Sequence, residues 1–320
     1  MTTSSGLGHL ITVYYDRVAL SSLRKKFMFW KGVDTRSLPK KNGKTVQFYR
    51  YSQFGANTTP SPEGTTGAGL EMGSAVIQAT VSQYTDFISF SDMLVDTAPD
   101  NDIVAIGAEQ LGYRAGLTVD TILRNELDSV AASIDIGLLG DFFTGGDVAN
   151  IRHRLAGLDI KPFPDGYFKA LAHPYVMYDF IHDPAVGGFL DVVKQTGSEQ
   201  RDRLFQLEDR GFVARWSGVE IWESTNLTMV AGSPNKYRVY FFGQEGMGAI
   251  DLAGRGPSRV EDPDRTKFSI NVVREMSPSI ANIEGKIRAA ASYNFVFCAK
   301  ILDTNPYRVR KIDAPTSLGL

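Results

Sequence analysis

The stretch from Asp100 to Ile134 contains no proline and repeats apolar residues at helical spacing. Ile103, Ile106, Leu111, Ala115, Thr118, Ile122, Leu127, Val130 and Ile134 share one side of a helix. Glu109, Arg114, Asp120, Arg124 and Glu126 occupy the other. Asp100, after Pro99, can cap the first turn, and Asp102 adds negative charge where the helix dipole favours it. Such a helix would run to about 50 Å, at about 1.5 Å per residue. Globular helices usually span roughly 8–20 residues. A helix this long suits a long, flat protein. The alternative is the core helix of a large domain, with Gly107, Gly112 and Gly116 weakening it.

The remaining bounds are those of an ordinary soluble chain. With 320 residues, 43% hydrophobic and 22% charged, there is room for one large domain or two smaller ones. A net charge of -2 gives no overall attraction to nucleic acid or to an anionic membrane. Cys298 is the single cysteine, so no intrachain disulfide can form, and a reducing compartment is the simpler reading. No apolar run is long enough for a spanning helix, and the N-terminus lacks a signal-peptide pattern.

Taken in order, residues 1–5 are polar. A basic helical arm is expected from Leu7 to Trp30, with Arg17, Arg24, Lys25, Lys26 and Lys31 on it. It reads either as an arm lying on a neighbour or on nucleic acid, or as the solvated face of a terminal helix. Lys40–Lys44 reads as a turn and Thr45–Tyr51 as a strand. A second strand runs from Ala75 to Ser91, where a switch of apolar parity predicts a bulge near Gln83–Asp86. Between them Ser52–Ser74 is rich in Gly, Thr, Ser and Pro, too long for an idle loop. It is either a lid or a hairpin projecting onto a neighbour. Projection is favoured, because no catalytic set accompanies it. After the long helix, Asp147 is expected to cap a helix through Ile160, and Lys161–Gly166 to turn. Tyr167–Ala172 reads as a buried strand, and His173-Pro174 opens a helix to His182. Gly187–Lys194 suggests a further helical turn, and Arg201–Arg210 an exposed charged stretch. Val213–Glu223, Tyr237–Phe242, Thr266–Arg274, Ala289–Leu302 and Arg308–Ile312 read as strands, and Gly243–Asp264 as loop. Helices and strands mix without regular alternation, which argues an α+β fold.

No motif for chemistry survives inspection. Gly43-Lys44-Thr45 lacks the upstream glycine of a phosphate-binding loop. Gly243, Gly246 and Gly248 miss the dinucleotide spacing. His9, His153, His173 and His182 form no metal-binding pattern, and Cys298 sits in an apolar run that should bury it. No catalytic residue, cofactor or metal site is expected.

The order of arm, projecting loop, long helix and mixed domain with returning strands resembles the major capsid proteins of tailed bacteriophages. Thr59-Pro60-Ser61-Pro62-Glu63-Gly64 resembles the loop signature T-P-x-x-E-G. Gln83-Tyr84 with Phe90-Ser91-Asp92 resembles the return strand, and Leu111-Gly112 with Thr118-x-Asp120 the spine helix. Pro162-Phe163-x-x-Gly166 and His173-Pro174 resemble the entry to the second domain. Together they are similar to the branch typified by the N4-like phage capsid protein. The resemblance implies the Hong Kong 97-like fold, with an N-terminal arm at 1–35 and an extended E-loop at 45–90. It implies a peripheral domain at 91–144 and 261–320, with its spine helix at 100–134, and an axial domain at 145–260.

The function implied is a non-enzymatic shell protein that forms pentamers and hexamers around double-stranded DNA. Its place would be the virion capsid, assembled in the host bacterial cytoplasm, with no membrane partner. An encapsulin-like compartment, a motif-poor α+β enzyme and a tail or adaptor protein are the alternatives. Candidate inter-subunit contacts are Thr59, Pro60, Pro62, Glu63, Gly64 and Glu71 in the loop, and Arg17, Arg24, Lys25 and Lys26 in the arm. Gly64, Gly67, Gly69 and Gly73 would let the loop adapt to both ring sizes, and Glu63 is expected to pair with a neighbour's basic residue. No lysine lies between Lys44 and Lys161, so the loop cannot donate an amine to a covalent cross-link. No scaffolding segment or cleaved leader is expected before the arm. The implied partners are therefore a separate scaffolding protein, a portal and a decoration protein, besides the packaged DNA.

Overall fold

A computed structural model describes residues 28–38, 43–52, 54–60, 63–64, 69–97, 103–129, 142–183, 189, 212–232, 234–252, 269–273, 288–302 and 308–318. Most of the expected arm helix, the expected cap at Asp100, the stretch Gly187–Lys194 apart from Phe189, and Arg201–Arg210 lie outside these residues. The described end of the arm is a 3-10 turn at Phe29–Gly32, which leads into a strand the sequence did not announce, β1 (Asp34–Leu38).

β2 (Thr45–Tyr51) and β3 (Ser74–Thr80) pair antiparallel as a two-stranded hairpin. β4 (Ser82–Ser91) follows after a break at Val81 rather than a bulge at Gln83–Asp86. The break is where the chain changes sheets, from the hairpin into a five-stranded sheet. A short helix α1 (Asp92–Thr97) comes next. The long helix α2 is seen over Ile103–Asp128, 26 residues or about 39 Å. Its buried stripe is Ala108, Leu111, Ala115, Val119, Leu123 and Leu127, at steps of three and four. Two residues depart from the expected faces. Ile106 is exposed, and Asp120 is 1% exposed because its carboxylate accepts the Phe29 N–H at 3.2 Å.

α3 (Gly145–Gly157) is capped by Thr144, not Asp147. Asp147 is the third helical residue and accepts the Thr144 N–H at 2.9 Å, closing a capping box. β5 (Phe168–Ala172) and α4 (Pro174–Ile181) stand where the sequence put them. The expected strand Val213–Glu223 is instead a hairpin of β6 (Phe212–Trp216) and β7 (Val219–Glu223). Ser217 and Gly218 both take positive φ (47° and 79°), the geometry of a tight hairpin turn. β8 (Met229–Val230) and β9 (Lys236–Phe242) follow. β10 (Met247–Leu252) occupies part of the expected Gly243–Asp264 loop. Gly248 hid this strand in the sequence; a Cβ there would meet Leu302 Cδ2 at 2.7 Å, so the glycine is a packing requirement. β11 (Ser269–Val273), β12 (Arg288–Ile301) and β13 (Val309–Pro315) complete the chain.

β12 is the hub of the first sheet, pairing antiparallel with β10, β11 and β4, while β1 adds parallel to β10. From Tyr293 to Ile301 its odd residues are buried, and they pack against α2. The second sheet runs β13-β9-β5-β7-β6, with β8 beside β9. It is covered on both faces. Leu171, Trp222, Tyr240 and Phe242 join the α2 core. Ala170, Ile221, Val239 and Phe241, of opposite parity, meet Val148, Ile151 and Leu155 of α3 and Val176, Met177 and Phe180 of α4. Helices and sheets are thus segregated as an α+β fold.

Candidate functional site

The hairpin is the element that the body does least to bury. Its two strands bond to each other and to no third strand among the described residues. The alternation of β2 and β3 divides it into two faces. Val46, Phe48 and Arg50 with Ala75, Ile77 and Ala79 turn toward the body, where Phe48 and Ala79 are buried with Val81, Leu38, Ile250 and Leu302. The opposite face is Thr45, Gln47, Tyr49, Tyr51, Ser74, Val76, Gln78 and Thr80, all exposed. None of these eight is charged, in a chain that is 22% charged. Tyr49 and Tyr51 are 56% and 60% exposed. Seven-residue strands extend this face over roughly 23 Å.

Beyond the strands, the Ser52 N–H donates to Gly73 O at 2.9 Å and closes the base of the loop. The described parts of 54–60 and 69–73 carry no regular structure. Phe54, Leu70 and Met72 stand exposed there, Leu70 at 72% and Met72 at 63%. Thr59, Pro60, Glu63, Gly64 and Glu71 are also exposed. The Thr59 N–H donates to Asn57 Oδ1 at 3.1 Å, and Gly64 turns with φ +80°. The structure therefore leaves these sequence-selected loop residues exposed on the segment between β2 and β3. Pro62, Gly67, Arg17, Arg24, Lys25 and Lys26 lie outside the described residues. The sequence reading missed the tyrosine face of the strands. Its signal was there in the alternation, which leaves one parity of β2 and β3 without a charge.

Ile106 and Tyr113 are exposed apolar residues on one side of the long helix, and Met93 on α1 and Phe87 on β4 are exposed as well. Phe87 has the parity opposite to Tyr84, Ile88 and Phe90, which pack on the α2 core, while Asp86 of their parity pairs with Arg114 of α2 at 2.6 Å.

Among the described residues, His173, His182 and Asp179 are engaged in structural hydrogen bonds. His173 caps α4 by accepting the Tyr175 N–H at 3.2 Å on Nδ1, and its ring stacks on Tyr237. Burial holds its pKa below the ordinary histidine value. His182 donates from Nδ1 to Tyr178 O at 2.9 Å. An open depression of about 400 Å³ lies beside it, lined by Phe142, Thr144, Tyr178, Asp179 and Ser317. Asp179 there already accepts the Ser317 N–H at 2.9 Å and its hydroxyl. Cys298 is half-buried, less enclosed than its apolar neighbours implied, and burial pushes its thiol up, away from thiolate character. Among the described residues, no group of three or more His, Cys, Asp or Glu side chains could hold a metal ion. No described helix is long and apolar enough to cross a membrane.

No protein-family model matches the sequence, and no curated protein is similar to it by sequence. The fold does match solved structures over nearly its whole length. It is similar to the capsid of Ralstonia phage GP4, with a TM-score of 0.66 over 89% of this chain and 87% of that one, at 11% identity. It is also similar to the head structure of Helicobacter pylori bacteriophage KHP40, with a TM-score of 0.62 over 90% and 91%, at 8% identity. The holo-SrpI encapsulin complex from Synechococcus elongatus PCC 7942 matches with a TM-score of 0.59 over 93% and 91%, at 12% identity. The chain has the Hong Kong 97-like shell-protein fold.

Proposed function

We propose that this chain is the major capsid protein of a tailed bacteriophage, assembling as pentamers and hexamers into an icosahedral shell around double-stranded DNA. The observation that carries this reading is the hairpin. On a shell-protein fold, it carries an uncharged tyrosine face and, near the base of its loop, the exposed apolar residues Phe54, Leu70 and Met72. Exposed apolar patches of this kind mark association sites. Ile106 and Tyr113 on the exposed side of α2 offer an apolar surface on the next copy, so in this reading one subunit's hairpin lies along its neighbour's long helix. Such a contact is heterologous and closes into rings. Many moderate contacts then add up through the closed lattice.

In this reading residues 1–35 are the arm, 45–90 the E-loop, 91–144 and 261–320 the peripheral domain and 145–260 the axial domain, with two strands crossing these bounds: β10 pairs in the first sheet with β12, and β13 in the second with β9. Thr59, Pro60, Pro62, Glu63, Gly64 and Glu71 meet the neighbour, with Glu63 paired to one of its basic residues. Arg17, Arg24, Lys25 and Lys26 of the arm offset subunit or phosphate charge. A separate scaffolding protein guides assembly, a portal and a decoration protein complete the particle, and the protein has no catalytic role. It is assembled in the host cytoplasm and resides in the virion.

The test is negative-stain electron microscopy with light scattering on the purified chain, alone and with the scaffolding protein from the same source. Closed shells, or capsomers with five- and six-fold symmetry, are expected. A chain that stays monomeric with scaffold present overturns the proposal. The likeness to the encapsulin keeps a cargo compartment as the second reading. Particles from the source that hold a protein cargo in place of DNA would decide for it.

A further inference from the structure

Glu245 lies in the turn between β9 and β10, where the chain passes from one sheet to the other. It has φ 57°, a left-handed conformation that a residue with a Cβ adopts at a cost. Its carboxylate and carbonyl bind two arginines from distant parts of the chain. Arg50 of β2 donates from Nη1 to its carboxylate at 2.7 Å and from Nη2 to its carbonyl at 2.7 Å. Arg308, just before β13, donates from Nη1 to the same carboxylate at 2.9 Å. The third donor of Arg50, Nε, reaches Leu302 O at the end of β12 at 2.7 Å. One hairpin side chain thus makes three short hydrogen bonds to the body, at the junction of both sheets.

The rest of the hairpin's root is apolar: Phe48, Ala79 and Val81 against Leu38, Ile250 and Leu302, with the Arg36 guanidinium 4.9 Å from the Phe48 ring centre. Apolar burial has no preferred direction, so such a root can pivot without losing its contacts. Hydrogen bonds weaken steeply when their angles change, so they do fix an orientation. The connections allow a pivot as well. β3 and β4 belong to different sheets and meet at Val81, and Gly43 precedes β2 with φ +81°.

The geometry points to Arg50 and Glu245 as a latch that fixes the angle at which the hairpin leaves the body. With the latch closed, the hairpin stands in one orientation. With it open, the hairpin swings as a rigid pair of strands about Val81 and Gly43, while both sheets stay intact. The inference concerns one chain and does not rest on assembly.

It is tested by spin-label distances on the full, unassembled chain, with Cys298→Ala removing the native thiol and labels at Gln78→Cys on the hairpin and Gln110→Cys on the long helix. The otherwise unaltered labelled protein should give one narrow distance distribution. Arg50→Met removes all three bonds to the body at once and keeps a stem of similar length, so it opens the latch. It should at least double the width of the distribution or add a second distance. Arg308→Gln removes the bonds to Glu245 and to Gln244 O but leaves all three from Arg50, and should stay narrow. A broad distribution before any latch variant, an unchanged one in Arg50→Met, or equal broadening in Arg308→Gln would each overturn the latch.

Discussion

At the scale of single residues, the carboxylate of Asp128 bears the heaviest duty. It ends the long helix and accepts Arg238 Nη1 at 2.8 Å, together with the hydroxyls of Tyr240 and Thr228. Arg238 also donates from Nε to Asp313 at 3.2 Å. The group joins the helix to β9 of the other sheet. Burial by itself would raise its pKa, but the bonds from Thr228, Tyr240 and Arg238 outweigh burial and hold it below the usual carboxylate range. As pH falls below about 4, the unfolded chain takes up this proton before the folded one does. The stabilisation is therefore complete above that range and is lost as pH falls through the folded value. Asp128→Asn should cost about 3 kcal/mol at neutral pH, since it leaves a half-buried arginine short of charge. Denaturant unfolding checks this, and the gap from the parent should shrink toward pH 3. A gap independent of pH would mean that shape, not charge, is what the variant loses.

At the scale of elements, the long helix carries glycines that helix propensity alone would reject. A Cβ on Gly107 would meet Phe90 Cζ at 2.3 Å, so the glycine lets β4 lie close against α2. Gly107→Ala gains about 1 kcal/mol of helix propensity but overpacks the contact at about 1–3 kcal/mol. Net destabilisation of about 1 kcal/mol is expected in a thermal melt. Adding Phe90→Leu should reverse the sign of the alanine's effect; if it does not, the contact is not the reason for the glycine. This helix and the strands beside it were legible because their apolar periods are regular. Asp120 was not, because a polar residue on a helix reads as exposed until its partner is known, here an N–H 91 positions away. The β6–β7 hairpin escaped because the apolar pattern continues on both sides of Ser217-Gly218, and β10 because glycines interrupt it.

At the scale of the whole molecule, Leu70 and Met72 near the base of the hairpin's loop are exposed and bury little within one chain. Leu70→Gln with Met72→Gln should leave the unfolding midpoint of the single chain within about 0.5 kcal/mol of the parent, as surface changes do. The same pair should lower the yield of shells measured by light scattering. Unchanged assembly would remove Leu70 and Met72 from the interface. The absence of lysine from Thr45 to Ile160 leads to a further expectation, that mature particles dissolve to single chains on a denaturing gel. A covalent ladder would contradict it.

The sequence by itself determined the elements whose signal is local: the helix through Ala108–Leu127, the strand Thr45–Tyr51 and the helix opened by His173-Pro174. It also marked the loop Ser52–Ser74 as too long and too polar to be idle. Periodicity and capping act within a few residues, so they can be read without a fold. Tertiary structure alone decided which faces are covered. It put Tyr49 and Tyr51 outside and Asp120 inside, made Gly248 part of a strand, and brought Arg50, Glu245 and Arg308 together from three distant segments. Burial and ion pairing depend on residues far apart in the chain, and only folding sets their distance.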